Sequence, residues 1–204
     1  MSWLSSQSIS LQQIKESNKL INAENCPRVA VFLGATSGIG RATLTDLVSR
    51  GQSIRAYIIG RNATKHQSQL ASLRESNPHA EIIFLEGQIS LLRDANRLCE
   101  EIMSRESAID ALFMSSGYLP MNGRQETQEG LDTCLVVSYY ARMLFAKRLL
   151  PMLRKGNNSR IVNVLAAGLE TDEIDLGDLD FEKPGRVASM PFARQVGTYT
   201  TVAL

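Results

Sequence analysis

Short apolar runs and helix-period stretches take turns along this chain. Arg28 to Leu33 (RVAVFL) is β-branched and apolar, as a strand buried on both faces requires, and the run stops at Gly34. Helix signals follow from Gly40 to Arg50, and Gly51 ends them. The alternation then repeats. Ile54 to Ile59 reads as a strand, Thr64 to Ser76 as a helix halted by Asn77-Pro78, and Glu81 to Leu85 as a third strand. Leu91 to Arg105 is an amphipathic helix with Leu91, Leu98 and Ile102 inward, and Ile109 to Met114 is a fourth strand. Glu126 to Arg154 reads as one long helix with Pro151 near its end, and Arg160 to Leu165 as a fifth strand. A last helix runs from near Ala188 to Leu204. Strands alternating with helices at this spacing predict a parallel sheet with right-handed crossovers, hence an α/β, doubly wound architecture. Ahead of it, Ser10 to Asn22 reads as a short helix capped by Ser10, with Leu11, Ile14 and Ile21 near one face. The expected division is residues 1–27, a helical extension, and 28–204, the sheet domain, incomplete at its C-terminal end.

The connection after strand five is unlike the others. Gly168 to Pro191 carries Asp172, Glu173, Asp175, Asp178, Asp180 and Glu182. Its length suits a lid or binding loop, and its charge suits a solvated acidic loop equally well.

The segment LGATSGIGR, Leu33 to Arg41, sits between the first strand and its helix. Gly34 lets the chain turn sharply, Gly38 lets backbone approach a pyrophosphate, and Gly40 permits close helix–sheet packing. The helix start then offers free N–H groups and a positive dipole end to phosphates. Thr36 and Ser37 add hydroxyls, and Ile39 stands between the last two glycines. This is the phosphate turn of a Rossmann-type fold. A site for NAD places Asp or Glu after strand two to hold the ribose hydroxyls. Gly60-Arg61-Asn62 stands there instead. Arg61, with help from Arg41, suits a 2′-phosphate, so NADP(H) is the expected cofactor.

Composition narrows the class. Apolar residues make up 44% of the 204 residues, charged residues 21%, and the formal net charge is +1. No field favours nucleic acid or an anionic membrane, so the expected partner is a small-molecule substrate. Cys26, Cys99 and Cys134 form no metal-ligand spacing and no disulfide framework, which fits reduced thiols in the cytoplasm and no metal. No secretory signal and no membrane-spanning run is read from the sequence.

These residues together resemble the short-chain dehydrogenase/reductase family. The glycine turn, GRN after strand two, IDALFMSSG after strand four, LLPML in the long helix and RIVNV in strand five follow the family's order. IDLGDLDFEKPG, Ile174 to Gly185, looks like the insertion of the retinol- and protochlorophyllide-reductase branch, and SYYARM, Ser138 to Met143, is similar to fungal members beside secondary-metabolite pathways. The resemblance implies hydride transfer between nicotinamide and a carbonyl or alcohol, with a Tyr acid/base, a Lys that lowers its pKa, and Ser and Asn support. It also implies cofactor contacts from Gln88, Ser115 and Gly117.

The expected tetrad positions depart from the pattern. Phe192 stands for Tyr, Val196 for Lys, Leu165 to Ala167 for Ser, and Ser138 for Asn. Met114-Ser115-Ser116-Gly117 replaces the family's Asn-Asn-Ala-Gly, and Gln88 replaces its adenine-contacting Asp. Phenylalanine has no proton to exchange and valine no charge, so no catalytic residue is assigned. Tyr139, Tyr140 and Tyr199 read as packing or pocket aromatics, and His66 and His79 as solvated. Three functions stay open: an NADP(H)-dependent oxidoreductase of a small carbonyl or alcohol, a degenerate NADP(H)-binding module acting through a partner, and a non-redox enzyme on this scaffold. Family members carry a further helix and two strands, so a second copy or a partner is expected over the shortened end.

Overall fold

The computed structural model describes residues 9–119, 123–183, 185, 187 and 190–203. Five strands form one parallel sheet: β1 (Val29–Leu33), β2 (Arg55–Gly60), β3 (Glu81–Glu86), β4 (Ala111–Met114) and β5 (Arg160–Asn163). Their order is β3-β2-β1-β4-β5, the arrangement of a nucleotide-binding α/β sheet, whose ligand crevice lies where the order reverses. The strands β1 and β2 bury nearly every side chain.

Helices cover both faces. On one side α2 (Gly38–Ser49) and α3 (Gln67–Ser76) pack Leu44, Val48, Leu70 and Leu73 against Phe32 and Ile58. On the other, α4 (Leu92–Arg105) and α6 (Ala141–Leu153) pack Leu98, Ile102, Phe145 and Leu149 against Val31, Tyr57 and Leu112. The leading helix α1 (Leu11–Lys19) has the Ser10–Gln13 capping box but buries none of its residues.

The long helix differs from the expectation. Residues 126–132 are not helical; Glu126 instead bridges to Asp132. Asp132 caps the helix by accepting from the Leu135 amide at 2.9 Å, so α5 (Thr133–Leu135) begins there. A π turn, Val136–Tyr140, then joins α5 to α6. The acid that looked like an interior helix residue is the residue that starts the helix. The last helix, α7, runs Met190–Val202; the expected ends at Ala188 and Leu204 lie outside the described residues. His66 is half-buried, its ring stacked on Phe84 with centroids 5.8 Å apart, while His79 is exposed.

One carboxylate ties the foot of the sheet together. Asp110 is buried and accepts from the amides of Arg28 (2.8 Å), Val29 (3.0 Å) and Asn157 (2.7 Å). It thereby fixes β1 and the approach to β5 on either side of β4. Asp110→Ala leaves these donors without their acceptor and is expected to cost about 3 kcal/mol, read from the denaturant midpoint.

Candidate functional site

The C-terminal ends of β1, β2 and β4 open onto a cleft of about 580 Å³. The glycine turn forms its floor. Gly34 (φ 94°) and Gly38 (φ 56°) occupy the left-handed region, where a side chain is strained. A Cβ on Gly40 would lie 2.5 Å from the Gly34 carbonyl, so α2 sits too close to the turn for any other residue. Ser37 is the N-cap of α2, yet its side chain makes no capping bond, leaving the hydroxyl available to a ligand at the helix start.

The expected cofactor residues divide into two sets. Gly34, Thr36, Ser37, Gly38, Ile39, Arg61, Gln88, Ser115 and Gly117 line the cleft. Gly40, Arg41 and Asn62 do not line it. Gly40 is packed behind the turn, and Asn62 (φ 56°) caps the short 3-10 turn Ala63–His66 by accepting from the Lys65 amide. Arg41 is exposed on α2. Arg61 is exposed at the end of β2, on the cleft wall. Gln88 donates to Ser90 Oγ at 2.9 Å, and Ser115 Oγ donates to the Gly34 carbonyl at 3.2 Å, so Ser115 braces the turn from β4. Sequence reading passed over Gln69. Its buried amide donates to the Ala35 carbonyl at 2.8 Å and holds the turn from α3, a contact that no local pattern announces.

Gly117 and Tyr118 also line a second cavity, of about 260 Å³. The expected tetrad positions gather there: Ser138, Leu165, Ala166, Phe192 and Val196 share its walls with Cys134 and Arg142. The π turn sets Ser138 in this wall. Its floor is apolar, because Phe192 and Val196 pack with Cys134, Leu135, Phe181 and Val187. Burial pushes the Cys134 thiol up to about 11, beyond ordinary nucleophilic use.

The phenols are packing aromatics, as expected. Tyr139 sets its ring tilted against those of Tyr140 and Tyr199, outside both cavities. Tyr140 donates to Asp180, and Tyr199 accepts from Gln195 and donates to the Leu179 carbonyl; burial raises the pKa of both phenols. Tyr118 lines both cavities, and burial raises its pKa too. The acidic connection is solvated only in part, at Asp172, Glu173 and Glu182. Phe181 and Asp178 are buried, Phe181 meets Phe192 with ring centroids 4.6 Å apart, and Arg124 donates to the Asp180 carbonyl at 2.7 Å. This segment is docked over α7 and the π turn.

A nucleotide-type crevice, a glycine turn and an adjoining small cavity define a dinucleotide-handling α/β protein class. The family model of the short chain dehydrogenases matches residues 28–170, and the chain belongs to that family. It is 38% identical over 196 residues to the oxidoreductase andH of Emericella variicolor, covering 96% of this chain and 57% of that protein. It is 35% identical over 198 residues to the NmrA-like family domain-containing oxidoreductase notO of Aspergillus sp. (strain MF297-2), covering 96% and 60%. The chain thus spans somewhat over half the length of these curated relatives. A metagenomic short-chain oxidoreductase solved in complex with NADP shares the fold, with a TM-score of 0.65 at 16% identity over 86% of this chain and 72% of that one. Among the described residues, no helix is long and apolar enough to cross a membrane.

Proposed function

We propose that the chain carries the NADP(H) site of an oxidoreductase acting on a carbonyl or alcohol of a small molecule. The observation that carries this reading is the convergence of the glycine turn and Arg61 on one cleft. The diphosphate would lie on the amides of Gly38 and Ile39, with Ser37 as a further donor. A 2′-phosphate would meet Arg61. NADP(H) supplies or accepts the hydride when bound, and Gly117 and Tyr118, shared by both cavities, mark where the two ligands would meet. The fungal relatives named as oxidoreductases support the oxidoreductase reading, which we place in fungal secondary metabolism; free, reduced cysteines support a cytoplasmic location. The division into an extension (1–27) and a dinucleotide-binding domain (28–204) fits an α1 that buries nothing.

A second reading has its own support. Phe192 and Val196 line the small cavity and can neither donate a proton nor tune one. In that reading the chain holds NADP(H) without turnover and acts through a partner.

NADPH fluorescence on binding, followed by its absorbance decay with a panel of aldehydes and ketones, separates the two. Turnover that Tyr118→Phe abolishes supports the oxidoreductase with Tyr118 as proton donor. Binding with no turnover supports the holding module. No binding of any dinucleotide sinks both. Arg61→Ala is expected to reduce the preference for NADPH over NADH by roughly 10-fold or more, from the loss of charge-assisted bonds, with NADH affinity little changed.

A further inference from the structure

The small cavity holds a charge that the tetrad pattern does not anticipate. Arg142 lies one helical turn after Ser138 and is 6% exposed. Its Nε and Nη2 donate to the Ser116 carbonyl, and its Nη1 donates to Asn163 Oδ1 at 2.6 Å and the Val164 carbonyl at 2.7 Å. A guanidinium has five N–H donors. The remaining one, on Nη2, has no partner among the described residues. That nitrogen faces the Gly117 side, where a Cβ would stand 3.4 Å from it.

Every acceptor of Arg142 is neutral. Among the described residues no ion pair includes it, and burial lowers its pKa to about 10 with no carboxylate raising it again. A desolvated cation without a counter-ion costs several kcal/mol. Pinning the splayed ends of β4 and β5 does not explain that cost, since a neutral amide donates to carbonyls without it. Behind the cavity wall, Asn163 Nδ2 is buried with no acceptor, although Asn163 itself does not line the cavity. Much of the remaining lining is apolar: Leu165, Leu169, Phe192 and Val196. What these groups lack is an anionic oxygen carried on an apolar body.

We infer that the small cavity is a subsite for the carboxylate of an otherwise apolar small molecule, held by the guanidinium of Arg142. This rests on the proposed function only in that Gly117 and Tyr118 would place the bound acid beside the dinucleotide. Ser138 offers a hydroxyl on the same walls.

The test compares para-tert-butylbenzoate with para-tert-butylbenzamide, equal in shape and different in charge, by calorimetry on the full chain with and without NADP+. The acid is expected to bind at least about 10-fold more tightly than the amide, as a charge-assisted pair in a desolvated site requires. Arg142→Gln is expected to erase that preference, and Arg142→Lys to keep part of it, because an ammonium retains charge without the fork. NADPH affinity should be unchanged in both variants. Equal affinity for acid and amide, no binding of either, or a preference that survives Arg142→Gln each overturns the inference. Should the glutamine variant not fold, the lysine variant and the acid–amide comparison on the unaltered chain still decide. Failure of NADP+ itself to bind strikes the cofactor reading instead and leaves the titration without dinucleotide to judge this subsite.

Discussion

Gly38→Ala is expected to lower NADPH affinity by roughly 100-fold while the fold survives, and Gly34→Ala is expected to destabilise the fold itself. The two glycines share a positive φ but not their surroundings. No heavy atom lies within 4 Å of a Cβ on Gly38, so an alanine there bears left-handed strain of about 1–2 kcal/mol and nothing more. Its methyl stands in the open cleft, over the amides on which a diphosphate would rest. A Cβ on Gly34 lies 2.6 Å from the Ser116 amide nitrogen and 2.9 Å from Ser116 Cα. Those atoms are main chain of the residues following β4 and have nowhere to retreat. Strain and overpacking together cost roughly 2–5 kcal/mol, a large share of a domain's stability. Denaturant unfolding and an NADPH fluorescence titration of both variants check this. Parental affinity in a folded Gly38→Ala chain would show that no diphosphate lies on the turn.

The sheet and its cleft were legible because they rest on local signals. RVAVFL, GATSGIG and the GRN after β2 each state a strand, a turn or a strand end within a few residues, and the alternation of strands and helices implies a parallel sheet. The second cavity was legible only by resemblance, which placed Ser138, Leu165, Phe192 and Val196 together without showing what else stood with them. Arg142 hides in the sequence as one basic residue on a helix that also carries Lys147 and Arg148 at its surface. Periodicity alone does not mark it as inward, because the π turn just before it shifts the helix face. Asp132 misled for a related reason: an acid in helix-period sequence looks the same whether it caps a helix or decorates one. Tyr199 follows Phe192 by two turns and reads as a packing aromatic, and its hydroxyl is indeed taken up by Gln195 and Leu179.

Val196→Lys, the change that restores the family's lysine position, is expected to destabilise the chain by about 4–5 kcal/mol at pH 7 rather than to revive chemistry. Val196 packs among Cys134, Leu135, Phe181 and Phe192, and the buried Arg142 lines the same cavity. An ammonium there meets apolar surface and a like charge, and both disfavour the protonated form. Burial of this kind depresses a lysine pKa by about 3–5 units from its unfolded value of about 10.4. The sign follows from proton binding. Above about pH 10.4 the lysine is neutral folded and unfolded, and the charge costs nothing. As pH falls below that value the unfolded chain binds the proton first, so stability drops by about 1.4 kcal/mol per unit until the folded-state pKa is reached, and then levels off. Val196→Met, a change of volume without charge, should cost about 1–3 kcal/mol and show no such slope. Denaturant midpoints across this pH range separate the two variants. A lysine variant as stable as the parent at pH 7 would mean that the cavity admits water or a counter-ion beside residue 196, and that the tyrosine–lysine pair was lost from this site without being excluded by its packing.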